Sequence, residues 1–163
     1  MAAGQRRAGI TMSLLDRLLD SQHESQQEAP QGPWEQLREF KNSLGRDLTA
    51  LLNTRRAEQD FDPAYEEATN SLLSFGITDF TSYNLKNGVE QEQVRRSIER
   101  AIRRFEPRLT HVSATIEAPD PLRPVLRFQV EALLRIGPSA EPVVFDVSLY
   151  RESRLMAVSG RDE

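Results

Sequence analysis

Few residues in this chain are of types that do covalent chemistry, and their spacing is poor for it. Cysteine is absent and histidine occurs twice, as His23 and His111. The lack of cysteine removes disulfides, thiolate metal sites and cysteine nucleophiles together. With so few imidazoles a transition-metal site would have to rest on carboxylates, and no suitable cluster stands out. His23 falls in a polar stretch and His111 at the start of an expected strand. The serines lack a nucleophile-elbow context, and there is no Walker loop, glycine-rich dinucleotide turn or HExxH. No catalytic, cofactor-binding or metal-binding residue is therefore assigned, and no cofactor is expected.

The most informative short stretch is Phe105-Glu106-Pro107-Arg108-Leu109. Pro107 disfavours the helical region for the residue before it, so a helix should stop near Phe105 and the next residues should become extended. In an extended run Phe105, Pro107 and Leu109 point one way and Glu106 and Arg108 the other. The expectation is an acid and a planar guanidinium presented outward on a stiff corner, suited to charged groups on another protein. The rival reading is a peptidoglycan hydrolase with Glu106 as general acid. Against it, a neighbouring Arg108 favours the ionised carboxylate, whereas a general acid needs a raised pKa.

Positive charge is concentrated in Arg95, Arg96, Arg100, Arg103, Arg104 and Arg108, offset by Glu99 and Glu106. A nucleic-acid face would read this way, but no aromatic stripe accompanies it. Pairs such as Arg95–Glu99 at i,i+4 account for a solvated helix face. The net charge of −4 likewise argues against a chain that coats nucleic acid.

The elements that must position these residues fit one domain's worth of chain, 163 residues with 38 % apolar content. No stretch has the ~18 apolar residues of a membrane helix. Residues 1–12 carry Arg6 and Arg7 without the apolar region of a signal peptide and read as a flexible leader. Residues 13–20 form a short leucine-rich docking helix, with Ser13 as cap and Leu14, Leu15, Leu18 and Leu19 on one stripe. So short a helix must dock, either on its own domain or on another chain. Residues 21–32 are a linker by composition, which favours the reach to another chain. Residues 33–160 form a single domain and 161–163 a tail.

Within that domain a long helix is expected from Trp34 to Arg56, with Trp34, Leu37, Lys41, Leu44, Leu48, Leu51 and Leu52 on its stripe and Arg55 and Arg56 in its last turn. A second has Asp62 as cap, Pro63 at its first position and Phe61, Tyr65, Ala68, Leu72 and Phe75 as its apolar side, ending at Gly76. Asp79 to Gly88 reads as a loop. The third runs from Val89 to Phe105, burying Val94, Ile98, Ala101, Ile102 and Phe105. After Pro107 the period drops to two: Val112, Ala114 and Ile116; Leu126, Phe128, Val130 and Ala132; Val143, Phe145, Val147 and Leu149; then Met156 and Val158. Breaks at Pro119–Pro121, Gly137–Ser139 and Glu152-Ser153 imply an antiparallel meander of about four strands. Helices first and strands after make an α+β fold.

Four stretches in this order resemble one family. Glu106-Pro107-Arg108 between an amphipathic helix and a meander is similar to the signature of TssE, a type VI secretion baseplate subunit related to a small wedge protein of contractile-phage baseplates. Leu14-Leu15-Asp16-Arg17-Leu18, Arg46-Asp47-Leu48 with Leu51-Leu52-Asn53-Thr54-Arg55, and Ser71 to Phe80 resemble its other motifs. The resemblance implies a non-catalytic, cytoplasmic structural protein, part of a baseplate docked to the inner-membrane complex and used in contractile sheath assembly. It implies that Glu106, Pro107 and Arg108 engage the core bundle of the TssF and TssG wedge proteins. It also implies that a sheet edge, expected among Val143–Tyr150 and Leu155–Val158, meets the sheath subunits TssB and TssC. TssK is a further candidate partner. No nucleic acid and no membrane insertion are expected.

Overall fold

The computed structural model describes residues 33–56, 65–69, 71–118, 125–136, 139–150 and 152–161. Leu14, Leu15, Leu18 and Leu19, the leader, the linker, His23, Phe61 and the Asp62-Pro63 cap lie outside the described residues.

The long helix, α1, spans Pro33–Asn53. Leu37, Phe40, Leu44, Leu48, Leu51 and Leu52 are its buried stripe. Phe40 takes the place expected for Lys41, which is half-buried; the side chain of Trp34 lies outside the described set. The helix stops before Arg55 and Arg56, because the chain there turns to pair with Ile77 in a parallel bridge. Arg55 therefore does not serve the helix end. It pairs with Asp79 at 3.1 Å and lies over the Phe80 ring, 4.6 Å from its centroid.

The second helix departs from expectation. Its described part is one α-turn, α2 (Glu66–Thr69), followed by a 3₁₀ turn, Leu72–Ser74. Ser71 separates them: its hydroxyl donates back to the Ala68 carbonyl at 2.7 Å and accepts the Leu73 N–H at 3.3 Å. A serine that bonds its own backbone in this way competes with helix continuation. Leu72 consequently faces solvent, while Phe75 packs edge-on against Phe105 with ring centroids 5.2 Å apart. Gly76 adopts φ +103, and a Cβ there would stand 2.3 Å from the Thr54 carbonyl oxygen. Glycine alone meets both conditions.

The third helix, α3, spans Gly88–Phe105. Asn87 caps it by accepting the Val89 N–H, with Glu90 in the first turn and Arg103 and Arg104 in the last. Val94, Ile98, Ala101 and Ile102 are buried, and Phe105 is half-buried.

The meander is β1 (Leu109–Ile116), β2 (Val125–Ile136), β3 (Ser139–Tyr150) and β4 (Met156–Arg161). Its strands are antiparallel in the order β1-β2-β3-β4. Arg161, placed in the tail from sequence, is the last residue of β4. His111, at φ +54, sits where the β1–β2 register shifts, between Thr110 and Ser113. Alternate side chains of β2 and β3, such as Phe128, Val130, Phe145 and Val147, join the stripes of α1 and α3 in one core. The opposite side of the sheet carries Arg127, Gln129, Glu131, Asp146 and Ser148, none of them buried. An antiparallel sheet with one packed and one wet face has this alternation. The two helices thus form a single layer on one face, α3 against β1 and α1 against β4.

Candidate functional site

The corner between α3 and β1 is a tight turn, not an extended run. The Glu106 N–H closes on the Ile102 carbonyl at 2.9 Å, and Leu109 N–H donates to the Glu106 carbonyl at 3.1 Å. In that turn the expected alternation fails: Pro107 is exposed, while Glu106 and Leu109 are both buried. Glu106 is only 5 % exposed, so the acid points into its own subunit instead of outward.

Its partner lies inside too. Arg108 Nε donates to Glu106 Oε1 at 2.6 Å and Nη2 to Oε2 at 2.5 Å, a two-pronged pairing that fits a planar guanidinium to a carboxylate. Nη2 also reaches Asp47 Oδ2 on α1, at 2.6 Å. The Phe40 ring lies under the guanidinium, 5.6 Å from centroid to carbon. Hydrogen bonding to Glu106, and then to Asp47, raises the Arg108 pKa above its ordinary value against the opposing cost of burial. The Arg108 carbonyl accepts the Arg135 N–H at 2.9 Å, tying the corner to the end of β2. Both oxygens of Glu106 are thus engaged as acceptors within the subunit. What the corner presents outward is Pro107 and the quarter-exposed edge of Arg108.

The two edges of the sheet differ sharply. Along the middle of β1, side chains of α3 occupy both outward backbone groups of Ala114 and the outward carbonyl of Val112. Glu99 Oε1 accepts the Ala114 N–H at 2.8 Å and Arg95 Nη1 donates to the Ala114 carbonyl at 2.9 Å. Arg103 Nε donates to the Val112 carbonyl at 3.0 Å, and its Nη2 closes on the same oxygen. Arg95 is itself fixed by Glu99 at 2.6 Å and Glu92 at 2.7 Å. These arginines, which from sequence alone resembled a solvated face or a nucleic-acid surface, seal a strand.

Along β4 only the first outward pair is covered. Asn53 of α1 accepts the Met156 N–H and donates to the Met156 carbonyl, each at 2.8 Å. Tyr150 N–H bonds the Leu155 carbonyl at 3.0 Å, so Leu155, Ala157 and Ser159 turn their backbone groups to β3, and Met156, Val158 and Gly160 turn theirs away. Among the described residues nothing occupies the outward groups of Val158 and Gly160. They border a groove of about 610 Å³ between β4 and α1, lined on the helix side by residues including Gly45, Thr49, Ala50 and Asn53. The expected edge is corrected accordingly: β3, which holds Val143–Tyr150, is interior to the sheet, and the free stretch is the later part of β4.

Asp47 and Asn53 both lie within motifs read from the sequence, yet neither received a role there. Their signal was weak: each is a polar residue next to the leucine stripe of a long helix. Leu14, Leu15, Leu18 and Leu19 lie outside the described residues. Among the described residues no helix is long and apolar enough to cross a membrane.

A search of the curated proteins found no match. The family model for baseplate wedge protein gp25 matches residues 38–139, from early in α1 through the corner and into the start of β3. That span contains the Asp47–Arg108–Glu106 cluster and all of α3, and it agrees with the resemblance to TssE-type baseplate proteins. The chain belongs to the baseplate wedge protein gp25 family.

Proposed function

We propose that the chain is a non-catalytic structural subunit of a type VI secretion baseplate, on the cytoplasmic side of the inner-membrane complex, that links the wedge to the contractile sheath and helps start sheath assembly. Membership of a baseplate wedge family supports the structural role. The observation that carries the sheath part is the asymmetry of the sheet, sealed along β1 and open along Val158–Gly160 beside a groove. Unpaired backbone groups on an edge are a template for an added strand. A strand from TssB or TssC would complete β4 and lie in the groove against α1. A subunit already fixed in the baseplate lowers the entropic cost of ordering the first sheath subunits.

On the wedge side, the corner docks on the TssF and TssG core through Pro107 and the outer edge of Arg108. Glu106 works from inside, holding the guanidinium in one orientation.

The test uses Gly160→Pro. Proline removes the outward N–H of β4; at this position an added Cβ meets nothing within 4 Å. The variant should keep the fold and the TssF/TssG association while losing co-purification with TssB/TssC. Undiminished sheath recruitment would overturn the edge reading. Pro107→Glu should show the reverse pattern, with wedge association lost and sheath recruitment kept.

A further inference from the structure

Gly45 stands in the middle of α1 without a reason among the described residues. Only proline is tolerated less well than glycine in a helix interior. Glycine is needed where the backbone turns to positive φ or where a neighbour presses close. Gly45 meets neither condition. Among the described glycines only Gly76 has a positive φ, and a Cβ on Gly45 would meet nothing within 4 Å beyond its own helical turn. Yet Gly45 is buried and lines the groove between α1 and β4. The opposite wall repeats the pattern. Gly160 leaves a gap in the side chains of β4, and a Cβ there also meets nothing within 4 Å. Glycine inside a strand weakens it and often marks the close approach of a ligand or another backbone.

The two glycines stand at one level. Asn53 of α1 holds Met156 of β4 through both of its amide bonds. Gly45 lies eight residues back along α1, about 12 Å. Gly160 lies four residues on along β4, about 13 Å. Both line the groove, and Met156, Val158 and Gly160 share the side of β4 that faces α1. Thr49 turns its hydroxyl onto the Gly45 carbonyl at 2.7 Å and Ala50 offers only a methyl, which favours an apolar occupant. Lys41 and Arg46, which also line the groove, carry their charge on long stems that can lie along apolar contents.

We propose that the hollow between Gly45 and Gly160 receives one large apolar side chain, from the residue of the added sheath strand that pairs with Gly160. This rests on the sheath reading of the open edge and adds a rule of choice and register to it. Backbone bonds at Val158 and Gly160 accept a strand of any sequence, whereas the hollow is filled only when a large side chain falls opposite Gly160. Directly paired residues place their side chains on the same face, and a large group across from an edge glycine covers what that glycine leaves bare. A slip of one residue sends the side chain to the wet face instead.

The test follows recruitment and stability together, on full-length chain. Alanine and leucine are both better helix formers than glycine, so Gly45→Ala and Gly45→Leu should hold or raise the thermal midpoint of the isolated chain. Recruitment should move the other way. Co-purification of TssB/TssC should fall from glycine through alanine to leucine, about tenfold at leucine, the effect of overfilling a packed site. Unchanged recruitment by Gly45→Leu overturns the hollow as a receptor. If Gly160→Pro abolishes recruitment in that same assay, the edge reading stands without it. If Gly160→Pro also recruits normally, the edge reading falls with it. A lowered thermal midpoint for Gly45→Leu would show that the chain's own residues fill the hollow, and a lowered mass by light scattering that a second copy does. Either result overturns the sheath strand as the occupant.

Discussion

The Asn53 side-chain amide meets the backbone of Met156 as a neighbouring strand would, giving one hydrogen bond and taking one, across 103 residues of sequence. Met156 is 3 % exposed, so water cannot readily replace either bond.

Asn53→Leu should lower stability by about 1–3 kcal/mol, the cost of leaving buried backbone groups unmade. Asn53→Asp keeps the acceptor but sets a carboxylate against the Met156 carbonyl and should also destabilise. Urea unfolding midpoints check both. A neutral Asn53→Leu would mean that β4 is held by its pairing with β3 alone.

Arg108 is the member of its cluster on which the others depend. Arg108→Ala strands Glu106 in the interior without its cation and should cost about 3–5 kcal/mol. Asp47 is about a third exposed on its side chain, so water compensates its loss, and Asp47→Ala should cost about 1 kcal/mol or less. Denaturation of the two variants tests the ranking, which equal losses would contradict. Reversing Glu106 is consequently a core substitution and a poor probe of partner binding.

Acid should loosen the first half of α3. Hydrogen bonds from Arg95 and then Arg96 hold the Glu92 carboxyl down at about 2 from an ordinary 4.5. A depressed folded-state value contributes stability that is complete above the ordinary value and lost as pH falls through about 2. Asp79, lowered chiefly by the Thr81 N–H, acts in the same direction. Helical ellipticity followed from pH 5 to pH 2 should fall, and Glu92→Gln should flatten the part of the curve that this residue supplies.

Unsealing β1 should change how the protein associates. Glu99→Ala with Arg103→Ala frees the Ala114 N–H and the Val112 carbonyl on the outer edge. Light scattering should then report species larger than dimers, since the sheet gains a second margin able to pair. An unaltered mass distribution would show that the α3 side chains are dispensable as a barrier.

What could be read beforehand was what is local. Val94, Ile98, Ala101 and Ile102 repeat at helical spacing and Phe128, Val130, Phe145 and Val147 alternate, so each pattern states its own element and its buried side. Ser71 was legible as a residue but not as a break, because its two bonds to the backbone compete with a helix that the apolar spacing alone favours. The corner was misjudged for a related reason. Pro107 constrains the residue before it without deciding whether the chain beyond runs straight or closes a turn, and only the straight case sends Glu106 and Arg108 outward together. Asp47 and Asn53 were beyond reach: their partners stand 61 and 103 residues away, and nothing in a helix's own spacing states which strand or corner will meet it.

A sheet with one usable margin has a bounded appetite for itself. Two copies meeting through β4, each turned half a revolution against the other, would use up the whole of that margin on both. No third copy could join by the same bonds. With the middle of β1 covered by Glu99, Arg95 and Arg103, that margin offers a further copy no continuous run of free backbone groups.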